Sequence, residues 1–112
     1  LRLLVRKRFL IRAKITDRKG NVLSIAENSY SKTHPIQARF ANDVGLCHRI
    51  FLHAEIAALI KLEKGSKPHK IQIERFHKDG KPANAKPCAV CDAAIRHWGI
   101  KYVEYTTSAK HL

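Results

Sequence analysis

The sequence contains no methionine, one tryptophan, three tyrosines and nine acidic residues against 22 lysines and arginines. Each shortage narrows what the chain can be. Lacking Met even at its first position, the chain is expected to be processed or trimmed, with room for sequence upstream. No apolar run approaches the roughly 18 to 20 residues that cross a bilayer. The opening LRLLVRKRFLIR is broken by charge every few positions, unlike a signal peptide. A soluble, cytoplasmic protein with no membrane partner is expected. The only cysteines are Cys47, Cys88 and Cys91, which cannot all pair, and the last two form a C-x-x-C. Without a secretory signal, such a pair points to metal or redox chemistry before a structural disulfide. The scarcity of acid leaves a formal charge of +13 and a pI near 10.1. Such a field draws phosphate, on a nucleotide or along a polynucleotide, although a merely soluble surface is the plainer explanation.

What is present suits one compact domain spanning 1–112, since 112 residues at 45% hydrophobic can bury a single core. From Arg8 to Asn28 two β-rich runs flank DRKGN, where Asp17, Gly20 and Asn21 supply turn chemistry, and a hairpin is predicted. Pro35 can open a short amphipathic helix with Ile36, Phe40 and Val44 on one face, and Gly45 can stop it. RIFLHAEIAALIKLEKGSKP carries the strongest helical signal, closed by Gly65 and Pro68. HKIQIERF alternates as a strand, HKDGKPANAKP is a polar loop, CAVCDAAIRHWGI is a helix stopped by Gly99, and IKYVEYTT is a last strand. The order is β-β-α-α-β-α-β.

Two helices therefore start on polar residues that a core helix does not need. Cys88 and Cys91 span the first turn of one, where the helix N-terminus favours thiolates. His53 opens another and can supply a third ligand. Three N and S ligands leave the fourth tetrahedral position for water, the arrangement of a catalytic zinc site. Glu55, two residues beyond His53, is too close to be a comfortable fourth ligand and well placed to move a proton from that water. A helix-cap role for His53, a first-turn acid favoured by the dipole for Glu55, and a redox pair for the cysteines remain the structural alternatives. Cys47 stands as a rival ligand or a small buried hydrophobe.

His53-Ala54-Glu55 with Pro87-Cys88-Ala89-Val90-Cys91 resembles the H-x-E and P-C-x-x-C signature of the zinc-dependent cytidine deaminase superfamily. The resemblance covers nearly the whole chain. It implies a three-layer α-β-α fold with a small mixed sheet, Zn²⁺ on His53, Cys88 and Cys91, and Glu55 as the catalytic acid and base. It also implies that Asn28 binds the substrate sugar or base, that the Ala54 backbone N–H reaches the base carbonyl, and that Pro87 rigidly sets the start of the ligand helix. An Asn closing a strand is the plainer role for Asn28.

The tail PCAVCDAAIRHWGIKYVEY resembles the branch holding deoxycytidylate, tRNA adenosine and polynucleotide cytidine deaminases, but only seven residues follow YVEY. A sheet of four strands with an open edge is expected, which favours a homo-oligomer. For substrate, a cytosine nucleotide or nucleoside comes first, with Lys32, His34 and Arg39 available for phosphate. Single-stranded nucleic acid accounts better for the charge, with Tyr30 and Tyr105 as stacking residues near the site. Adenosine in tRNA, a toxin-type deaminase and a non-catalytic, zinc-clipped nucleic-acid-binding module are the remaining readings. Most aromatics are expected in the core, and His34, His69, His77, His97 and His111 in solvent. HKDGKPANAK reads as an exposed basic loop or a nucleic-acid contact.

Overall fold

The hairpin appears where the turn chemistry put it. The computed structural model describes residues 10–29, 33–45, 52–76 and 81–107. Within it β1 runs Leu10–Thr16 and β2 runs Val22–Glu27. Asp17 organises the connection: its Oδ1 accepts the backbone N–H of Lys19 and of Asn21, and its Oδ2 accepts the Asn21 amide at 3.1 Å. Gly20 supplies the left-handed backbone, φ 87°, that closes the turn. Pairing slips between Ile15 and Thr16, where Ser24 and Val22 are the partners and Leu23 is the extra residue of a bulge.

The remaining elements are α1 (Pro35–Asp43), α2 (Ala54–Ile60), β3 (Lys70–Phe76), α3 (Ala89–His97) and β4 (Tyr102–Tyr105), in the order and class the sequence predicts. The sheet has four strands in the order β2-β1-β3-β4. Strand β1 is antiparallel to both its neighbours, and β3 is parallel to β4, with α3 as the crossover that parallel pairing requires.

Alternation along the strands decides which side is core. Ala13 and Ile15 of β1 and Ile71 and Ile73 of β3 are fully buried, and they join Ile56, Leu59 and Ile95 from the helices in one cluster. Removing each of these isoleucine and leucine side chains from water contributes about 1.5–3 kcal/mol. The opposite face of the sheet is charged. Arg12 lies between Glu27 and Glu74, and Gln72 between Lys14 and Glu104. Buried Ser24 ties two elements together: its Oγ donates to the Ala58 carbonyl at 2.7 Å and fastens α2 to β2.

Helix α1 buries Gln37, Phe40 and Ala41, and Ile36 and Val44 flank that stripe half-buried. Its first turn corrects one expectation. His34, read as a solvated phosphate contact, is the N-cap, and its Nδ1 accepts the Ile36 N–H at 3.0 Å. Trp98 packs on Phe40 at 6.1 Å between ring centres, as a core aromatic should. Tyr102 departs from that expectation and is 54% exposed. Tyr30, Lys32, Cys47, His48, His77 and His111 lie outside the described residues, as does residue 77–80 of the basic loop.

Candidate metal centre

The two ligand-bearing helix starts meet. His53 is the N-cap of α2 and Cys88 the N-cap of α3, both in extended backbone, and neither side chain makes a capping hydrogen bond. A histidine or cysteine spent on capping would turn toward its own helix; these turn toward each other. His53 Nδ1 lies 3.2 Å from Cys91 Sγ and 3.6 Å from Cys88 Sγ. The three donor atoms all fall within 4.8 Å of one another, and together they can hold a metal ion. Among the described residues this is the one such cluster of His, Cys, Asp and Glu. The helix-cap alternative for His53 is overturned by that orientation.

Local structure explains the convergence. The carbonyls of His53 and Cys88 accept the first helical bonds, from Ala57 at 2.9 Å and Asp92 at 2.8 Å, so each ligand is fixed to a helix without being inside it. Cys91, one turn into α3, is fully buried, whereas Cys88 and His53 are half-buried. Gln37 of α1, itself fully buried, accepts the His53 backbone N–H through Oε1 at 3.2 Å. Sequence reasoning missed Gln37. The available signal was a polar side chain on the same helical stripe as Phe40 and Ala41.

Electrostatics follow from the packing. The Cys88 thiol is held down to about 3, first by its hydrogen bond with Cys91 and further by His53, with burial opposing. That same bond, then burial, pushes the Cys91 thiol well above its ordinary value. Glu55 is 6% exposed. Burial raises its carboxyl above the ordinary value, while its own backbone N–H and the charge of His53 pull the other way.

Beside the candidate ligands lies a cleft of about 390 Å³, whose lining includes Asn28, His53, Glu55 and Cys88 together with Arg75, Asn84 and Lys86. Asn28 does two things. Its Oδ1 accepts the Ile11 N–H at 3.2 Å and its backbone N–H donates to the Ile11 carbonyl, which leaves the amide nitrogen for the cleft. Ala54 is fully buried between His53 and Glu55, and Pro87 is half-buried before Cys88; both adjoin the ligands without lining the cleft. Arg39 pairs with Asp43 at 3.9 Å, and Tyr105 packs against the core; neither lines the cleft as the sequence suggested.

The part of the lining that holds Arg75 and Asn84 is fastened by a residue the sequence did not single out. Thr106, fully buried after β4, accepts the Arg75 N–H at 3.0 Å and donates its hydroxyl to the Ala83 carbonyl at 2.7 Å. Its carbonyl accepts the Ala85 N–H at 2.8 Å. Arg75 Nη1 then donates to the Asn84 carbonyl at 3.2 Å. The segment leading to Cys88 is therefore held against the end of the sheet. No protein-family model and no curated protein matches the chain.

Proposed function

We propose that this protein is a zinc-dependent hydrolytic deaminase that converts cytosine to uracil in a nucleotide or nucleoside. One observation carries the reading: an imidazole and two cysteine sulfurs converge beside a buried carboxylate at the edge of a cleft. The donors suit the metal. With Zn–S of about 2.3 Å and Zn–N of about 2.0–2.1 Å, a tetrahedron places N and S roughly 3.6 Å apart. The separations of 3.2 and 3.6 Å between His53 Nδ1 and the two sulfurs fit that edge. When bound, Zn²⁺ supplies a Lewis acid that lowers the pKa of water at its open position from about 15.7 toward about 7.

The chain's own groups carry the remaining steps. Glu55 takes a proton from the attacking water and delivers it to the ring nitrogen beside the amine-bearing carbon. Oxygen adds to that carbon as a hydroxyl, Glu55 takes the second proton from that hydroxyl and passes it to the amine, the C–N bond breaks, and ammonia leaves behind a carbonyl. A carboxyl raised by burial is suited to both giving and accepting, and such transfers contribute typically 10²–10⁴-fold. The Asn28 amide nitrogen faces the substrate sugar or base, and Pro87 fixes the approach to Cys88. Arg75 and Lys86 add positive charge to the cleft lining, which suits phosphate.

A second reading, a deaminase of single-stranded DNA or RNA, is favoured by the charge of +13. The same ligands also serve adenosine in tRNA, since they do not distinguish cytosine C4 from adenine C6. A non-catalytic, zinc-clipped module would leave Glu55 and the cleft without a purpose. The deciding experiment offers deoxycytidylate, deoxycytidine and a cytosine-containing single strand in parallel, with products read by mass spectrometry and Glu55→Ala as the blank. Product from the monomers supports the first reading and product from the strand alone the second. Equal turnover by Glu55→Ala refutes both.

A further inference from the structure

Two hollows larger than the metal cleft lie away from it. They lie where β1 ends and β3 and β4 begin, at about 590 and 530 Å³, and they share Asp17, Arg18, His69 and Tyr102. On β1 and β3 the metal cleft is lined by Ile11 and Ile73 and the second hollow by Lys14 and Gln72, residues that alternation turns to opposite faces of the sheet.

Three features distinguish this end. Its cations come from three separated parts of the chain: Arg18 and Lys19 of the hairpin turn, Lys67 before β3, and Lys101 before β4 around the first hollow, with Lys14 and Lys70 at the second. The two carboxylates present are already engaged. Asp17 closes the hairpin turn, and Glu104 accepts from Gln72 at 2.7 Å and pairs with Lys70 at 3.5 Å. Between the hollows stand two rings, His69 and Tyr102, with centres 4.8 Å apart. The backbone fixes them: His69 N–H donates to the Thr16 carbonyl at 2.8 Å, and Tyr102 N–H to the His69 carbonyl at 3.4 Å.

We propose that this end of the sheet is a groove for single-stranded nucleic acid, with phosphates along Arg18, Lys19, Lys67 and Lys101 and a base stacked on Tyr102. One phosphate needs few cations, whereas a backbone crossing two hollows uses several. A half-exposed ring between them is a platform for an unstacked base, which a duplex does not offer. The groove is independent of the deaminase reading. Under that reading it anchors a strand away from the reacting base and raises the concentration of the strand at the metal cleft.

The test measures fluorescence anisotropy of a labelled oligothymidine and of a labelled duplex, across potassium chloride, on the zinc-loaded Glu55→Ala protein. Using that background separates strand binding from turnover. Lys67→Glu with Lys101→Glu should weaken single-strand binding at least ~10-fold and reduce the salt slope by about 1.4, at about 0.7 per phosphate contact. Tyr102→Ala should weaken the single strand by about tenfold and leave the duplex unchanged. Lys61→Glu with Lys64→Glu, outside the groove, is the control and should cost less than about threefold. All substituted side chains are exposed, so melting curves should match the parent. An equal loss in the control, no effect of Tyr102→Ala, or a preference for duplex would each overturn the groove. Binding that obeys these expectations in a protein that deaminates nothing would keep the groove and remove the enzyme.

Discussion

Two histidines open two neighbouring helices, and they do opposite work. His34 turns its Nδ1 back onto the Ile36 N–H and caps α1; His53 turns the same atom away from α2 toward Cys88 and Cys91. Position in the helix is the same, and so is the extended backbone. The neighbours differ. Around His53 a second helix start brings sulfur within reach, so a group that would have stabilised its own helix is left for a metal. Cys88 repeats the pattern, also an N-cap without a capping bond.

The strongest way to break this comparison is at Glu55. Glu55→Ala should retain stoichiometric zinc by elemental analysis and lose roughly 10²–10⁴-fold in deamination rate by mass spectrometry. Next come the ligands. His53→Ala and Cys88→Ala should each abolish stoichiometric zinc, whereas His34→Ala should leave zinc content at the parent value. Gln37→Leu sharpens the contrast, because only His53 has its backbone held by that buried amide. Competition with a chromophoric chelator should show zinc affinity reduced by about 10–100-fold, the usual cost of losing a group that orients a ligand.

Acidity supplies a further test. Metal binding must displace the proton of the Cys91 thiol, which the bond with Cys88 and burial raise, whereas the Cys88 thiol is lowered. Zinc affinity should therefore rise with pH, by about tenfold per unit while one proton is released. A flat affinity between pH 6 and 8 would contradict a raised Cys91 thiol. The smallest effect is expected at the other histidine. His34→Ala should cost about 1 kcal/mol in urea unfolding, the usual value of a cap, with activity unchanged.

Much of the fold was legible because its signals are local. Asp17, Gly20 and Asn21 specify a turn by their own backbone preferences. Pro35 and Gly45 bracket α1, and alternation in HKIQIERF marks β3. The ligand set was legible for a related reason: H-x-E and C-x-x-C are short, and helix geometry turns spacing into direction. Gln37 was not, since its partner is a backbone group 16 residues away. Neither was Thr106, whose bonds reach Arg75 and Ala83, 31 and 23 residues back. His34 was misread because an imidazole beside a proline fits a surface contact and a cap equally well until the helix is seen.

The far groove marks the boundary most sharply. Arg18, Lys67 and Lys101 are unremarkable singly, each one lysine or arginine among 22. They converge because β1, β3 and β4 lie side by side, with the hairpin turn and the starts of β3 and β4 at the same end. By itself, then, the sequence determined the elements, their order and the three donors with their neighbouring carboxylate, since those follow from φ/ψ preference and periodicity over a few residues. Only the tertiary structure decided that His53 meets the cysteines across two helices, that Gln37 and Thr106 hold the cleft's parts in place, and that scattered cations gather around Tyr102. Those contacts join residues distant in sequence, and only the paired register of the sheet and the packing of helices upon it bring them together.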